Sequence, residues 1–343
     1  MVKRTRPMTT IRDLATHCGV STSTVSRALA GKAYIRDEVR EKIQAAAKEL
    51  GYRPNLVARN LRSSRSTTLG LVVADVQNPF FTRICRAVED RALREGYAVF
   101  LCNSDEDPRK EELYLRHLID ENVAGIILAP TARTARAQAA LKDLPLPLVA
   151  IDRPVKAGLT DSVVIDNQQA GYDLARHLIT HGRRALVGLF GAKSLTGAPR
   201  ERGFWQAIDE SGIDRNLCRA IEIAPREEDG YRQARTLLAA PEPIDALIAS
   251  NGLMASGVFR ALVESSRPCP EEIAFACFDE AAWSHLVSPS VTVIEQPTYE
   301  IGVTATELLL QRIEQPERSY RRIVLVHRLV ERASTAAPAV QRS

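Results

Sequence analysis

Between residues 11 and 50 the apolar positions recur every three or four residues, and from residue 69 onward they gather into short unbroken runs. The first spacing is that of helices with one buried face, the second that of short strands buried on both faces. Ile11, Leu14, Ala15 and Cys18 share one face of a first helix, with Thr10 as its cap and Asp13 three residues on to complete a capping box. Gly19-Val20 makes a tight turn, and Ser21 opens a second helix whose Val25 and Leu29 point inward. A third helix runs from Asp37 to about Leu50, buries Val39, Ile43, Ala46, Ala47 and Leu50, and is stopped by Gly51. Tyr52 to Arg62 is amphipathic over about two turns, too short to be a stable helix alone. Ser63 to Thr68 reads as a polar linker.

The strand-length runs lie at residues 69–74, 98–102, 125–129, 148–151, 185–189, 246–249 and 273–277, with helical patterns between them. Alternation of this kind builds parallel sheets covered by helices, and at roughly 275 residues this part exceeds one comfortable core, so two α/β lobes are expected. The predicted fold is a small all-α helix-turn-helix head followed by a two-lobed α/β body. Ligands of such sheets bind beyond the carboxyl ends of the strands. There the chain places Asp75 to Phe81, Asn103-Ser104-Asp105, Asp152-Arg153, Ser250-Asn251, Phe278-Asp279 and Glu295-Gln296-Pro297. Any one of these carboxylates alone reads as a helix cap. Their recurrence points to a small polyhydroxylated ligand, bonded by paired carboxylates and amides and stacked on aromatic rings.

Charge divides the chain at the same place as the pattern does. Residues 1–66 hold 14 Lys and Arg against 5 Asp and Glu, whereas the other 277 hold 32 against 37. A compact basic head on a mildly acidic body suits one module that binds nucleic acid and one that does not. The outward face of the second helix carries Thr22, Ser23, Ser26 and Arg27; its small hydroxyls permit close approach to the major groove, and Arg27 can fork onto guanine. Every apolar run ends well short of the roughly 18 residues of a membrane span. The basic N-terminus is followed by no apolar stretch, so a cytoplasmic location is expected. The six cysteines form no C-x-x-C pair, the six histidines are scattered, and no nucleotide, hydrolase or zinc-protease motif is present. No catalytic residue, metal site or cofactor is expected, which sets an enzyme aside. A purely architectural DNA-binding protein would not need so many polar strand ends.

From Thr10 through Gly19-Val20-Ser21, Thr24-Val25-Ser26-Arg27 and Gly51-Tyr52-Arg53-Pro54-Asn55 to Ala58-Arg59-Asn60-Leu61, the chain resembles the lactose-repressor/galactose-repressor (LacI/GalR) family of bacterial transcriptional regulators. The resemblance implies DNA contacts from Thr10, Ser21, Thr22, Ser23, Ser26, Arg27, Asn55, Ala58, Arg59 and Leu61. Thr22, Ser23 and Arg27 would read bases, and Leu61 would be the apolar lever of a hinge helix in the minor groove. It continues through Asn78-Pro79-Phe80-Phe81, Asp152-Arg153, Asp166-Asn167, Arg200 with Gly203-Phe204, Asn251, Phe278-Asp279 and Gln296-Pro297. This implies a periplasmic-binding-protein-like body with an effector in its cleft. Arg200, Asn251 and Asp279 are then the leading effector contacts, with Asp152, Phe80, Phe81 and Ser104 behind them; Asp105, Lys193 and Gln296 complete the set, with Trp283 either walling the cleft or equally ordinary core. Two positions depart from the family's pattern: Arg36 replaces a Ser or Thr cap of the third helix, and Gly252 replaces Asp.

Residues 278–283 and 292–302 are similar to members that answer to sugar acids such as ketogluconates, and Arg200, with Lys193 near it, would suit a carboxylate. A neutral sugar inducer or a purine corepressor stays open as the alternative. The implied organisation is a DNA-binding head at 1–54, a hinge helix and linker at 55–68, and an effector-binding and dimerisation body at 69–332. Within the body the N-lobe would take 69–165 and 295–325, and the C-lobe 166–294 and 326–332. The Ala/Ser/Pro-rich stretch 333–343 reads as a disordered tail. The expected assembly is a homodimer on a near-palindromic operator, with no membrane partner.

Overall fold

The computed structural model of the chain describes residues 9–29, 35–52, 66–137, 144–153, 155 and 158–336. The chain divides into two compact units, residues 1–66 and 67–343.

The first unit contains α1 (Ile11–Cys18), α2 (Thr22–Leu29) and α3 (Asp37–Glu49). The capping box forms: Asp13 N donates to Thr10 Oγ1 at 3.3 Å, and Thr10 N donates to Asp13 Oδ2 at 2.8 Å. These bonds hold the Asp13 carboxyl below its usual pKa. Gly19 ends α1 in the left-handed region (φ 67°), which a residue with a Cβ adopts only under strain. Leu14, Val25 and Ile43, one from each helix, are fully buried and form the centre of a small core. Arg36 precedes α3 without a side-chain cap, so acidic Asp37 and Glu38 in the first turn are left to favour its start. The hinge residues Asn55, Ala58, Arg59 and Leu61 lie outside the described residues.

The body is built on two six-stranded sheets. The first contains β1 (Thr68–Val73), β2 (Ala98–Asn103), β3 (Gly125–Leu128), β4 (Leu148–Ile151), β5 (Asp161–Ile165) and β11 (Arg322–Leu325), in the order β11-β5-β4-β3-β1-β2. The second contains β6 (Leu186–Gly191), β7 (Arg219–Ile223), β8 (Ala246–Ala249), β9 (Ala274–Phe278), β10 (Thr292–Glu295) and β12 (Arg328–Val330), in the order β12-β10-β9-β8-β6-β7. Every pairing is parallel except β10 with β12. In each sheet the first strand lies between its two successors, so strand order reverses there and a crevice opens at the carboxyl ends.

Helices α4 (Pro79–Arg94), α5 (Pro108–Asp120), α6 (Ala132–Ala137) and α11 (Thr298–Glu314) accompany the first sheet. Helices α7 (Asn167–Thr180), α8 (Gly197–Ser211), α9 (Glu227–Ala239) and α10 (Gly252–Glu264) belong to the second. Helices α7 and α8 cross with their backbones in contact at two glycines. A Cβ on Gly171 would stand 2.1 Å from the Arg200 carbonyl oxygen, and one on Gly203 2.0 Å from that of Gln168. The chain passes between the sheets three times, after β5, after β10 and after β11.

Two expectations need correction. Strands β5, β7, β10, β11 and β12 were not among the predicted runs; β5, β7, β10 and β12 each contain polar residues, whereas β11 is an apolar run behind Arg322. The start of β5, Asp161, is fully buried and bound by Arg312 Nε at 3.1 Å and Nη2 at 3.0 Å. The edge strand β7 alternates Arg219, Ala220, Ile221, Glu222 and Ile223. Nor does the tail reading hold for residues 333–336, which include a 3₁₀ turn with Ser334 and Thr335 wholly buried. Ser334 Oγ donates to Phe275 O at 2.6 Å and accepts from Thr292 N at 2.9 Å, so small hydroxyl residues here act as buried sheet partners.

Candidate functional site

Two surfaces carry the chemistry, one on each unit. On the head, Ser21 caps α2: its Oγ accepts from Thr24 N at 3.1 Å and lies 2.7 Å from Ser23 Oγ. Thr22, Ser23 and Arg27 project from that helix into solvent, and Ser26 is half-buried beside them. The two ends of the face differ in character, since hydroxyls gather at the helix N-terminus and a guanidinium lies about one turn further on. A hydroxyl-bearing helix start favours phosphate through its exposed N–H groups, and the arginine can read a base edge. Thr10, by contrast, is already committed as the α1 cap.

On the body, a cavity of about 640 Å³ is lined by residues that follow β1, β2, β3 and β4 in one lobe and β6, β7 and β8 in the other. These are the two crevices that the strand orders define, facing one another across one space. Asp75, Gln77, Asn78 and Asn103 supply carboxylate and amide groups, and Phe81 an aromatic ring. Lys193, Arg133 and Arg226 supply cations. Five of the six non-glycine residues with positive φ among the described residues are Asp105, Glu106, Asp152, Lys193 and Asp279, each just past a strand end on this side. Backbone strain concentrated so narrowly marks a functional site and re-aims each side chain.

Beside the cavity lies a buried charged cluster. Arg200 donates from Nε to Asn167 Oδ1 at 2.8 Å and from Nη1 to the Ser250 carbonyl, and its guanidinium stacks 4.0 Å from the Phe278 ring centroid. Its Nη2 has no hydrogen-bond partner among the described residues. Asp279 Oδ1 accepts from Gln296 Nε2 at 2.6 Å and Oδ2 from Gly252 N at 3.1 Å. A Cβ at 252 would be 3.2 Å from that of Asp279, so glycine there suits the close approach. Asp152 is pushed up to about 6 by burial, against the pull of Arg153 and Arg200. Arg153 is held by Glu106 and by Pro130 O (2.7 Å), while its buried Nε finds no hydrogen-bond acceptor and stands 3.4 Å from Asp152 Oδ2.

Among the expected effector residues, Phe81, Asp105, Lys193 and Asn251 therefore line the cavity, and Asp152, Arg200, Asp279 and Gln296 form the buried cluster beside it. Asn251 is also the cap of α10, its Oδ1 accepting from Met254 N at 2.8 Å. The structure corrects three assignments. Phe80 packs into the first lobe's core, edge-on to Phe81. Ser104 is fully buried and donates to Val73 O at 3.2 Å. Trp283 packs against Phe259 in the second lobe's core. In each case local burial absorbs a residue that strand-end position alone had pointed at the ligand. Arg133 and Arg226 were missed. The rule that found the others reaches Arg226 once β7 is recognised as a strand.

A basic helix-turn-helix head and a two-lobed binding body define a ligand-responsive DNA-binding regulator. Residues 10–55 match the bacterial regulatory proteins of the lacI family, and residues 66–333 match the periplasmic binding proteins and sugar binding domain of the LacI family. The chain belongs to the LacI family of bacterial transcriptional regulators; it is a DNA-binding repressor-type protein and not an enzyme. It is 35% identical over 330 residues to the ribose operon repressor of Halalkalibacterium halodurans, covering 96% of this chain and 97% of that one. It is 31% identical to the transcriptional repressor PurR of Yersinia enterocolitica, covering 96% and 97%. The lac repressor dimer bound to operator and the anti-inducer ONPF superposes with a TM-score of 0.84 at 25% identity, covering 96% and 100%. A LacI family regulator from Enterococcus faecium with bound ribose gives 0.72 at 29%, covering 79% and 99%. No helix among the described residues is long and apolar enough to cross a membrane.

Proposed function

We propose that this repressor works in the cytoplasm as a homodimer on a near-palindromic operator and is released when a small sugar acid, of the ketogluconate kind, closes the two lobes of its body. The observation that carries the reading is the asymmetry of charge in the cavity. Of its acidic residues, Asp105 and Glu106 are each taken by a cation, Lys110 and Arg153, and Asp75 accepts from Gln77 N at 2.8 Å. Lys193, Arg133 and Arg226 have no ion pair or side-chain hydrogen bond among the described residues. A polyhydroxylated carboxylate would meet these cations and the open Nη2 of Arg200 with its charge, and the amides of Asn78, Asn103 and Asn251 with its hydroxyls. Thr22, Ser23 and Arg27 would read the operator in the major groove, and Asn55, Ala58, Arg59 and Leu61 would engage the minor groove as a hinge. To change occupancy substantially, the effector must favour one lobe arrangement by a few kcal/mol.

A second reading, a neutral pentose, is favoured by the likeness to a ribose operon repressor and to a ribose-bound regulator. Calorimetric titration of the full chain with aldonic and keto-sugar acids, ribose and purines separates the two. Micromolar binding of a sugar acid that disappears in Arg200→Ala is the expected result. Binding of ribose or a purine alone would remove the sugar-acid assignment and leave the DNA-binding function as it stands.

A further inference from the structure

Far along α7 from its cleft-facing N-terminus, His177 and His181 stand one helical turn apart, and Glu331 from the segment after β12 lies against them. One ligand atom from each of the three falls within 4.8 Å of the other two. The ring centroids of His177 and His181 are 4.2 Å apart. His181 Nδ1 is 2.8 Å from the His177 carbonyl oxygen. That oxygen can only accept, so Nδ1 carries a proton. In the neutral ring Nε2 is then a bare lone pair, and it faces Glu331 Oε1 at 3.1 Å. Two acceptors at that distance require a positive centre between them, either a second proton or a metal ion. Ligands of a tetrahedral zinc ion at about 2.05 Å stand about 3.3 Å apart; His181 Nε2 and Glu331 Oε1 are 3.1 Å apart, and the three ligand atoms together lie within 4.8 Å. A histidine whose other nitrogen donates to a backbone carbonyl is also the usual orientation of a metal ligand.

From this geometry we infer a binding site for a borderline divalent transition-metal ion, zinc above all, formed by His177, His181 and Glu331. Two imidazoles and one carboxylate are a donor set for such an ion and not for magnesium or calcium. The Nε2 of His177 lies 2.7 Å from Thr335 Oγ1, a hydroxyl that can donate or accept and so lets either ring nitrogen hold the lone pair. The ion would fasten the segment behind β12, the last strand of the second sheet, to α7. The site is independent of the effector cleft and of the effector's identity.

The test is calorimetric titration of the chelator-stripped full chain with Zn²⁺, with Mg²⁺ as the hard-cation control. One zinc per chain and no response to magnesium are expected. Glu331→Gln, at a side chain 60% exposed, and His181→Gln should each weaken zinc at least tenfold, while His117→Gln on α5 leaves it unchanged. Substituting Co²⁺ should give visible bands without thiolate charge transfer, which excludes capture by the free cysteines. Undiminished zinc binding in both variants, a thiolate signature, or no saturable binding would overturn the proposal and leave His181 and Glu331 as an imidazolium–carboxylate pair.

Discussion

The two lobes share one strand order, yet they hold their charges differently. In the first, charged groups are taken up by one another: Arg312 by Asp161, Arg153 by Glu106, Lys110 by Asp105. In the second, Arg200 is held by an amide, a carbonyl and an aromatic ring, and the cavity cations Lys193 and Arg226 project unpaired. Topology thus places both crevices at one cleft, while the residues past each strand decide that Arg153 and Lys110 of the first lobe are held by carboxylates and that Arg200 and Lys193 of the second are not. Substitution within the first lobe's internal pairs should therefore cost stability, and substitution of the second lobe's cavity cations should cost binding.

The largest effect should come from Asp161→Ala, which strands the buried Arg312 guanidinium. A loss of about 3–5 kcal/mol in denaturant unfolding of the body is expected; a loss below 1 would show that the first lobe does not depend on its internal pairs. Next is Gly203→Ala, which drives a methyl group into the Gln168 carbonyl. It should cost about 1–3 kcal/mol or more by overpacking, and, because the α7–α8 contact brings Arg200 to Asn167, it should weaken the effector as well. A stability cost without any change in effector affinity would uncouple that helix crossing from the site.

Asp152 sharpens the comparison through pH. Its folded pKa of about 6 lies above the ordinary 3.8, so the folded protein prefers the protonated form. The linked stabilisation is therefore present below pH 3.8 and lost as pH rises through 6. Asp152→Asn should remove this dependence and stabilise the unliganded body at neutral pH by on the order of 2 kcal/mol. An unfolding profile between pH 4 and 7 identical to that of the parent, measured near those limits of about 4 and 7, would contradict it. The smallest effect is expected from Lys193→Gln, an exposed side chain: about tenfold weaker binding of a sugar acid, about 1.4 kcal/mol, with unchanged melting temperature.

Helix periodicity made α1, α2 and α3 legible in the sequence, since each is short and amphipathic, α1 closed by Gly19, α2 opened by Ser21 and α3 followed by Gly51. The unbroken apolar runs, β1 to β4 with β6, β8 and β9, were equally legible. The others were not: β7 alternates polar and apolar residues, and β5 opens on a charge that only a distant arginine neutralises. The cleft was found by its position past the central strands. What position could not distinguish was a side chain aimed at the cavity from one turned into the core, as with Phe81 against its neighbour Phe80. That choice rests on packing between elements far apart in sequence.

The order in which the sheets complete bears on how the protein is made. The described helices of the head lie within residues 11–49, and their contacts are local. The first sheet must wait for β11 and the second for β12, so the first is not whole before residue 325 is made nor the second before residue 330. Local structure forms faster than distant strand pairing. A nascent chain therefore carries a folded helix-turn-helix well before its effector-binding body is complete, and rapid completion of the body, or a chaperone that shields it meanwhile, becomes part of making a regulated protein.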